Sequence, residues 1–272
     1  MLEARTLISD IRKDFFRKSK FSHANNKILI NGLAKSGTSL VEHIFSELGY
    51  VNGARSLLRS GYKCQGYQDG FICKELFDSF PNNKNTFVKT HSVFNQEFME
   101  FDKVKVIIIL RDVKDALLSR YYHVMSDPLH WDNKRLSKIK SEQERFKQSV
   151  LALNPVYGFS QLEYYLFWKA SWIYSPFNNN IFYYEDYKNS SSDFIQRLAE
   201  HCELAVDPLK IENTLENKRK SLSKVSKSLF NRRFVSGGDS GTFRKGLVGE
   251  SERFFDAELN SLFSDLSEKY KI

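Results

Sequence analysis

The sequence predicts an α/β fold in which helices cover both faces of a central, mostly parallel sheet, giving three layers. Strand-like and helix-like runs alternate along the chain, the pattern of parallel strands joined by crossover helices. The run Ile107-Ile108-Ile109-Leu110 is apolar on both faces, as suits a strand covered on both sides. The first strand runs into a turn bounded by Gly32 and Gly37, and a helix begins directly after it. With 272 residues, 41% of them hydrophobic and 14% aromatic, the chain has material for one substantial core, so one domain over 26–272 is expected.

Taken in order, residues 1–25 mix Glu3, Asp10 and Asp14 with Arg5, Arg12, Lys13, Arg17 and Lys18. They lack the continuous apolar stretch of a signal peptide, and their acids argue against a transit peptide. A helical segment packed on the domain is expected there. Strands are expected at Lys27–Asn31, Thr86–Lys89, Lys103–Leu110 and Asn180–Tyr184. Helices are expected at Thr38–Leu48, Asp112–Met125, Glu142–Leu153, Phe159–Tyr174 and Ser192–Cys202. Two stretches break the rhythm. Asn52–Asn85, rich in glycine, asparagine and polar residues, reads as a long excursion above the sheet. Lys218–Lys245, rich in lysine, arginine and serine, reads as a mobile lid or a solvated surface.

A net charge of +8 and a pI near 9.2 imply an anionic partner: a nucleotide, a nucleic acid, an acidic saccharide or a membrane surface. Cys64, Cys73 and Cys202 make an odd set with no Cys-x-x-Cys spacing, which disfavours a disulfide scaffold and a zinc site. A reducing, cytoplasmic compartment is the expectation. No run of about 18 apolar residues occurs, so no transmembrane segment is expected.

The turn Gly32-Leu33-Ala34-Lys35-Ser36-Gly37-Thr38-Ser39 has the glycine spacing of a nucleotide P-loop, and hence a P-loop-like domain. Such a turn aims backbone N–H groups at one point beside the positive end of a helix. Its lysine, however, lies inside the turn and not after the second glycine. Thr86–Lys89 then leads into Thr90 and His91, and strand carboxyl ends are where open α/β sheets bind ligands. Lys89 and His91 would therefore face the site, with His91 as a general base titrating near neutrality. Arg111 follows the central strand, and Ser119 lies two helical turns beyond it, a fork and a hydroxyl suited to a second phosphate. The competing reading makes Asp112 a Mg²⁺-binding acid of a kinase or NTPase. Gly241-Thr242-Phe243-Arg244-Lys245-Gly246 supplies two adjacent cations between glycines, a possible anion clamp or a surface turn. On these residues alone, a P-loop kinase or NTPase and a non-catalytic polyanion binder remain open alternatives.

Together these elements resemble the soluble sulfotransferase family, which uses 3′-phosphoadenosine 5′-phosphosulfate (PAPS), over roughly Ile28 to Phe255. Lys35-Ser36-Gly37-Thr38-Ser39 is similar to its phosphosulfate loop, Lys89-Thr90-His91 to its catalytic triplet, and Arg111 through Ser119 to its 3′-phosphate segment. Phe243-Arg244-Lys245-Gly246-Leu247-Val248-Gly249 is similar to its late clamp, and Tyr183-Tyr184-Glu185-Asp186 to the stretch whose tyrosine lines the adenine pocket. The resemblance implies sulfuryl transfer without a metal, with adenosine 3′,5′-bisphosphate (PAP) as product. It implies a catalytic group of His91, Lys35, Lys89 and Ser119, with His91 as base, Lys35 on the leaving phosphate and Lys89 on the transferring group. Donor contacts would come from the amides of Ser36, Gly37, Thr38 and Ser39, and from Arg111, Ser119, Tyr184, Arg244, Lys245 and Gly246. Ala34, Ser39, Leu40 and Gly249-Glu250-Ser251 depart from the family pattern, Leu40 standing where many members have a tryptophan stacked on adenine. The dimerisation pattern of vertebrate members is missing from Glu252–Ile272. The acceptor, a small molecule, lipid or saccharide and not a nucleic acid, is expected to meet Asn52–Asn85, the region from Phe94 onward, and Val124–Ser141 with His130 and Trp131. The aromatic run Tyr164–Trp168 is expected in the helix core.

Overall fold

The computed structural model describes residues 26–53, 85–101, 103–154, 157–217 and 248–272. The expected N-terminal helical segment, most of Asn52–Asn85, the stretch expected to form a lid, and Arg244, Lys245 and Gly246 of the expected clamp lie outside the described residues. Among the described residues there are five strands: β1 (Lys27–Gly32), β2 (Val51–Asn52), β3 (Thr86–Thr90), β4 (Val104–Leu110) and β5 (Ile181–Tyr183). They form one sheet of order β2-β3-β1-β4-β5, and every pairing is parallel. The two-residue β2 was not foreseen; it is too short to carry a periodic signal.

Side-chain alternation along the strands divides the core in two. Ile28 and Ile30 of β1, Phe87 of β3, and Ile107 and Ile109 of β4 face one side. Helix α1 (Thr38–Glu47) covers that side with Val41, Ile44 and Phe45. The other side takes Leu29, Val88, Val106, Ile108 and Leu110. Helices α2 (Val113–Ser126), α4 (Glu142–Leu151) and α5 (Gln161–Ile173) pack there; the four-residue α3 (Asn133–Leu136) precedes α4. A short α6 (Tyr184–Asn189) follows β5, then α7 (Ser191–His201), α8 over 208–217 and α9 (Ala257–Tyr270). Phe194, Ile195 and Leu198 of α7 join the α1 side, and Leu259 of α9 the α5 side. The three-layer expectation therefore holds.

Two boundaries differ from expectation in ways that matter. Tyr184 does not end the last strand; it opens α6, because β5 pairs with β4 only as far as Leu110↔Tyr183. Helix α9, not foreseen, is capped by Asp256, whose carboxylate accepts the Leu259 N–H at 2.8 Å.

The chain at Gly249 and Ser251 is fastened to α2 by Asp115. Its buried carboxylate accepts the Gly249 N–H at 2.8 Å and the Ser251 N–H at 3.1 Å. Alanine at this position would leave both donors without their acceptor, the Ser251 N–H in a buried setting. Asp115→Ala is expected to lower unfolding free energy by about 2–4 kcal/mol, read as a shift of the urea midpoint; a loss within error of zero would show that the tie carries no stability.

Candidate functional site

β1 is flanked by β3 and β4, and the chain leaves β1 into α1 on one face of the sheet and β4 into α2 on the other, so a crevice opens at the carboxyl ends of these strands. The register sets Lys89 beside Ile30, Thr90 beside Asn31, and Ile109 beside Gly32. The segments leaving them carry Lys35, His91 and Arg111 to one edge.

The loop after β1 is shaped by close packing. A Cβ on Gly32 would lie 2.4 Å from Thr38 Cγ2 and 3.0 Å from the Ile109 carbonyl oxygen. Gly37 takes φ 103°, and a Cβ there would lie 2.6 Å from the Tyr184 ring. Lys35 itself adopts φ 72°, left-handed backbone that costs a non-glycine residue roughly 1–2 kcal/mol. Gly37 caps α1 with no side-chain hydrogen bond, so among the described residues no N-cap side chain takes up the N–H groups of its first turn. The Ser36 hydroxyl is buried without a hydrogen-bond partner among the described residues. These are features of an anion cradle.

His91 donates from Nδ1 to the Gly32 carbonyl at 2.5 Å, since a carbonyl can only accept. That bond assigns the proton to Nδ1 and leaves Nε2 with a lone pair. Burial pushes the imidazole pKa down to about 4; the Gly32 bond opposes this, and the positive charges of Lys89 and Lys35 add to it. His91 is thus neutral at pH 7. Burial, followed by the charges of Lys89 and Arg111, pushes Lys35 down to about 8. Arg111 is buried, reaches the Lys35 carbonyl at 3.4 Å, and holds its guanidinium carbon 4.8 Å from the Tyr184 ring centroid. Lys35, Lys89, His91, Arg111, Gly37 and Tyr184 therefore share one site. Ser119 lies half-exposed on α2, and no hydrogen bond among the described residues ties it to that group. Asp112 accepts the Asp115 N–H at 2.9 Å and serves as the N-cap of α2.

Several supporting residues were not anticipated. Tyr165 of α5 donates its hydroxyl to the Ala34 carbonyl at 3.1 Å, and Trp168 donates its indole N–H to the His91 carbonyl at 3.0 Å. Trp172 and Asn31 both donate to the Ser92 carbonyl, at 3.0 and 2.9 Å. The aromatic run is core as expected, yet its polar tips also fix two loops of the site. Glu185 accepts the Asp112 N–H at 2.9 Å, bracing the end of β4, and Glu42 of α1 pairs with Lys89 at 2.6 Å. His123 was missed too. Burial, then the charges of Lys35 and His130, push its pKa down to about 4, and its ring lies 6.3 Å from that of His130. His123 follows Ser119 by one helical turn, a spacing visible in the sequence. In the region expected to meet the acceptor, Phe94 packs against Phe98, Trp172 and Phe177, while Trp131 is largely exposed beside His130.

The sulfotransferase domain model matches residues 25–270. No curated protein matches the chain. Among solved structures, mouse sulfotransferase SULT7A1 complexed with PAP is similar at TM-score 0.58 and 17% identity, over 92% of this chain and 87% of that one. Retinol dehydratase in complex with retinol and PAP matches at TM-score 0.55 and 15% identity, over 96% and 85% of the two chains. The same enzyme with androsterone and inactive cofactor PAP matches at TM-score 0.54 and 15% identity, over 95% and 84%. At these identities the likeness establishes the fold. Among the described residues no helix is long and apolar enough to cross a membrane.

Proposed function

The chain belongs to the sulfotransferase domain family, and from that premise we propose that it moves a sulfuryl group from PAPS to a hydroxyl or amine of a small-molecule, lipid or saccharide acceptor in the cytoplasm. The observation that carries this reading is the convergence of Lys35, Lys89, His91 and Arg111 at three adjacent strand ends.

His91 Nε2 takes the proton from the acceptor hydroxyl as its oxygen forms a bond to sulfur. The bond from sulfur to the 5′-phosphate oxygen breaks, and its electron pair goes to that oxygen, where Lys35 balances the charge. Lys89 meets the charge on the transferring group. The products are a sulfate ester and PAP. Such a transfer depends on positioning and charge neutralisation, without a covalent enzyme intermediate. The uncapped first turn of α1 and the Ser36 hydroxyl hold the 5′-phosphate. Arg111 binds the 3′-phosphate, with Ser119, Arg244, Lys245 and Gly246 as further proposed contacts. Tyr184, lying against Gly37 and under Arg111, lines the adenine pocket.

Thermal denaturation with PAP tests this directly. At a concentration about 100 times the dissociation constant, a native-state ligand stabilises by about 2.7 kcal/mol, so a rise of several degrees in Tm is expected. Mg²⁺–ATP at equal concentration should give a smaller one. No shift at saturating PAP, or a larger one with Mg²⁺–ATP, would overturn the reading.

A further inference from the structure

Among the cations of this site, Lys89 forms an ion pair with a carboxylate from a different element. Its Nζ lies 2.6 Å from Oε2 of Glu42, with both side chains largely buried, at 24% and 18% exposure. The pairing follows from the fold. Phe87 faces α1, and Lys89, two residues further along β3, points to the same side. Glu42 stands one turn after Thr38 on α1, the helix that starts at the anion cradle. The carboxylate is therefore built into the same helix that the 5′-phosphate would cap.

An acid beside a polyanion site opposes binding by its charge, so its presence needs another account. Lysine carries four flexible carbons and three ammonium donors. Lys35, Arg111 and Lys89 also repel one another; burial is the main reason that the Lys35 pKa is lowered, and the charges of Lys89 and Arg111 add to it. A lone Lys89 would gain both entropy and electrostatic relief by swinging toward solvent.

We propose that Glu42 is a positioning residue for sulfuryl transfer: it binds one ammonium hydrogen of Lys89 and aims the other two at the group being transferred. The inference rests on the function proposed above. It predicts opposite effects on chemistry and on donor binding. Glu42→Ala should lower kcat by about 10- to 100-fold, the scale of a misplaced catalytic group, while PAP binds as tightly as before or more tightly because a negative charge is gone. Glu42→Gln keeps an oxygen acceptor and should lose roughly threefold less than alanine.

A double-mutant cycle decides the matter. In a Lys89→Met background, Glu42→Ala should cost nothing further, because both substitutions remove the same placed ammonium. Unchanged kcat in Glu42→Ala and Glu42→Gln overturns the inference, as does an equal loss in both backgrounds or a joint weakening of kcat and PAP affinity. Failure of the unmodified chain to bind PAP overturns the functional reading itself, and the inference falls with it.

Discussion

Replacing His91 with alanine is expected to lower kcat by about 10²- to 10⁴-fold, the usual contribution of a positioned general base, with PAP affinity changed less than threefold. The imidazole is aimed by its bond to the Gly32 carbonyl and carries its free lone pair on Nε2. It is neutral above about pH 4, so the base form is present at pH 7. A bound polyanionic donor would raise that pKa, and the acid limb of kcat should therefore lie above pH 4 and be absent from the residual activity of the variant. Stability should respond as well. A folded pKa near 4 against 6.5 for the exposed side chain means that the His91 contribution is complete above pH 6.5 and is lost as pH falls toward 4. That difference corresponds to about 3 kcal/mol. Urea denaturation at pH 7 and pH 5 should show a smaller acid loss for His91→Ala; an unchanged kcat would remove His91 from the chemistry.

Lys35→Ala should cost about 10²- to 10³-fold in kcat, equivalent to about 2.7–4 kcal/mol of lost charge stabilisation on the leaving oxygen. The same lysine makes PAP binding depend on pH. With a free-site pKa of about 8, Lys35 is mostly protonated at pH 7 and progressively neutral above pH 8. Bound phosphate favours the ammonium and raises the pKa in the complex. PAP affinity should thus hold steady below pH 8 and fall above it, with net proton uptake on binding near pH 8.5 and little at pH 6.5. Calorimetry in buffers of different ionisation enthalpy measures that uptake. Lys35→Ala should abolish it, and uptake that persists would assign the proton to another group.

The local half of the site is legible in sequence because each part is a short motif with its own chemistry. Gly32 is crowded first by Thr38 and Ser36 and Gly37 takes a left-handed φ, constraints that act within one loop, while Ile109 and Tyr184 add distant ones. Lys89, His91 and Arg111 sit at strand ends, and the strands announce themselves by apolar runs. Helix α9 carries no motif, and its signal is only the helical spacing of Leu259, Leu262, Phe263 and Leu266. The sequence places Tyr184 in a strand because β propensity cannot tell where ladder pairing stops.

The partners of these groups were a different matter. Trp168 and Tyr165 look like ordinary core residues, and their burial is consistent with that. Only the docking of α5 beneath the sheet edge turns their polar tips toward the carbonyls of His91 and Ala34, the latter 131 residues away. Glu42 reads as one charged residue on an amphipathic helix until α1 settles over β3. Asp115 reaches 134 residues along the chain to Gly249.

What the sequence by itself determined is the layered α/β fold, the phosphate-binding turn and the set of cations and imidazole at strand ends. These follow from hydrophobic periodicity, glycine sterics and residue chemistry, all of which act over a few neighbouring residues. What only the tertiary structure decided is which lone pair His91 presents, how far Lys35 is shifted, and which side chains hold Lys89, His91 and Arg111 in place. Those depend on burial and on contacts between distant segments, and hydrogen bonds and local dielectric exist only once the layers have packed.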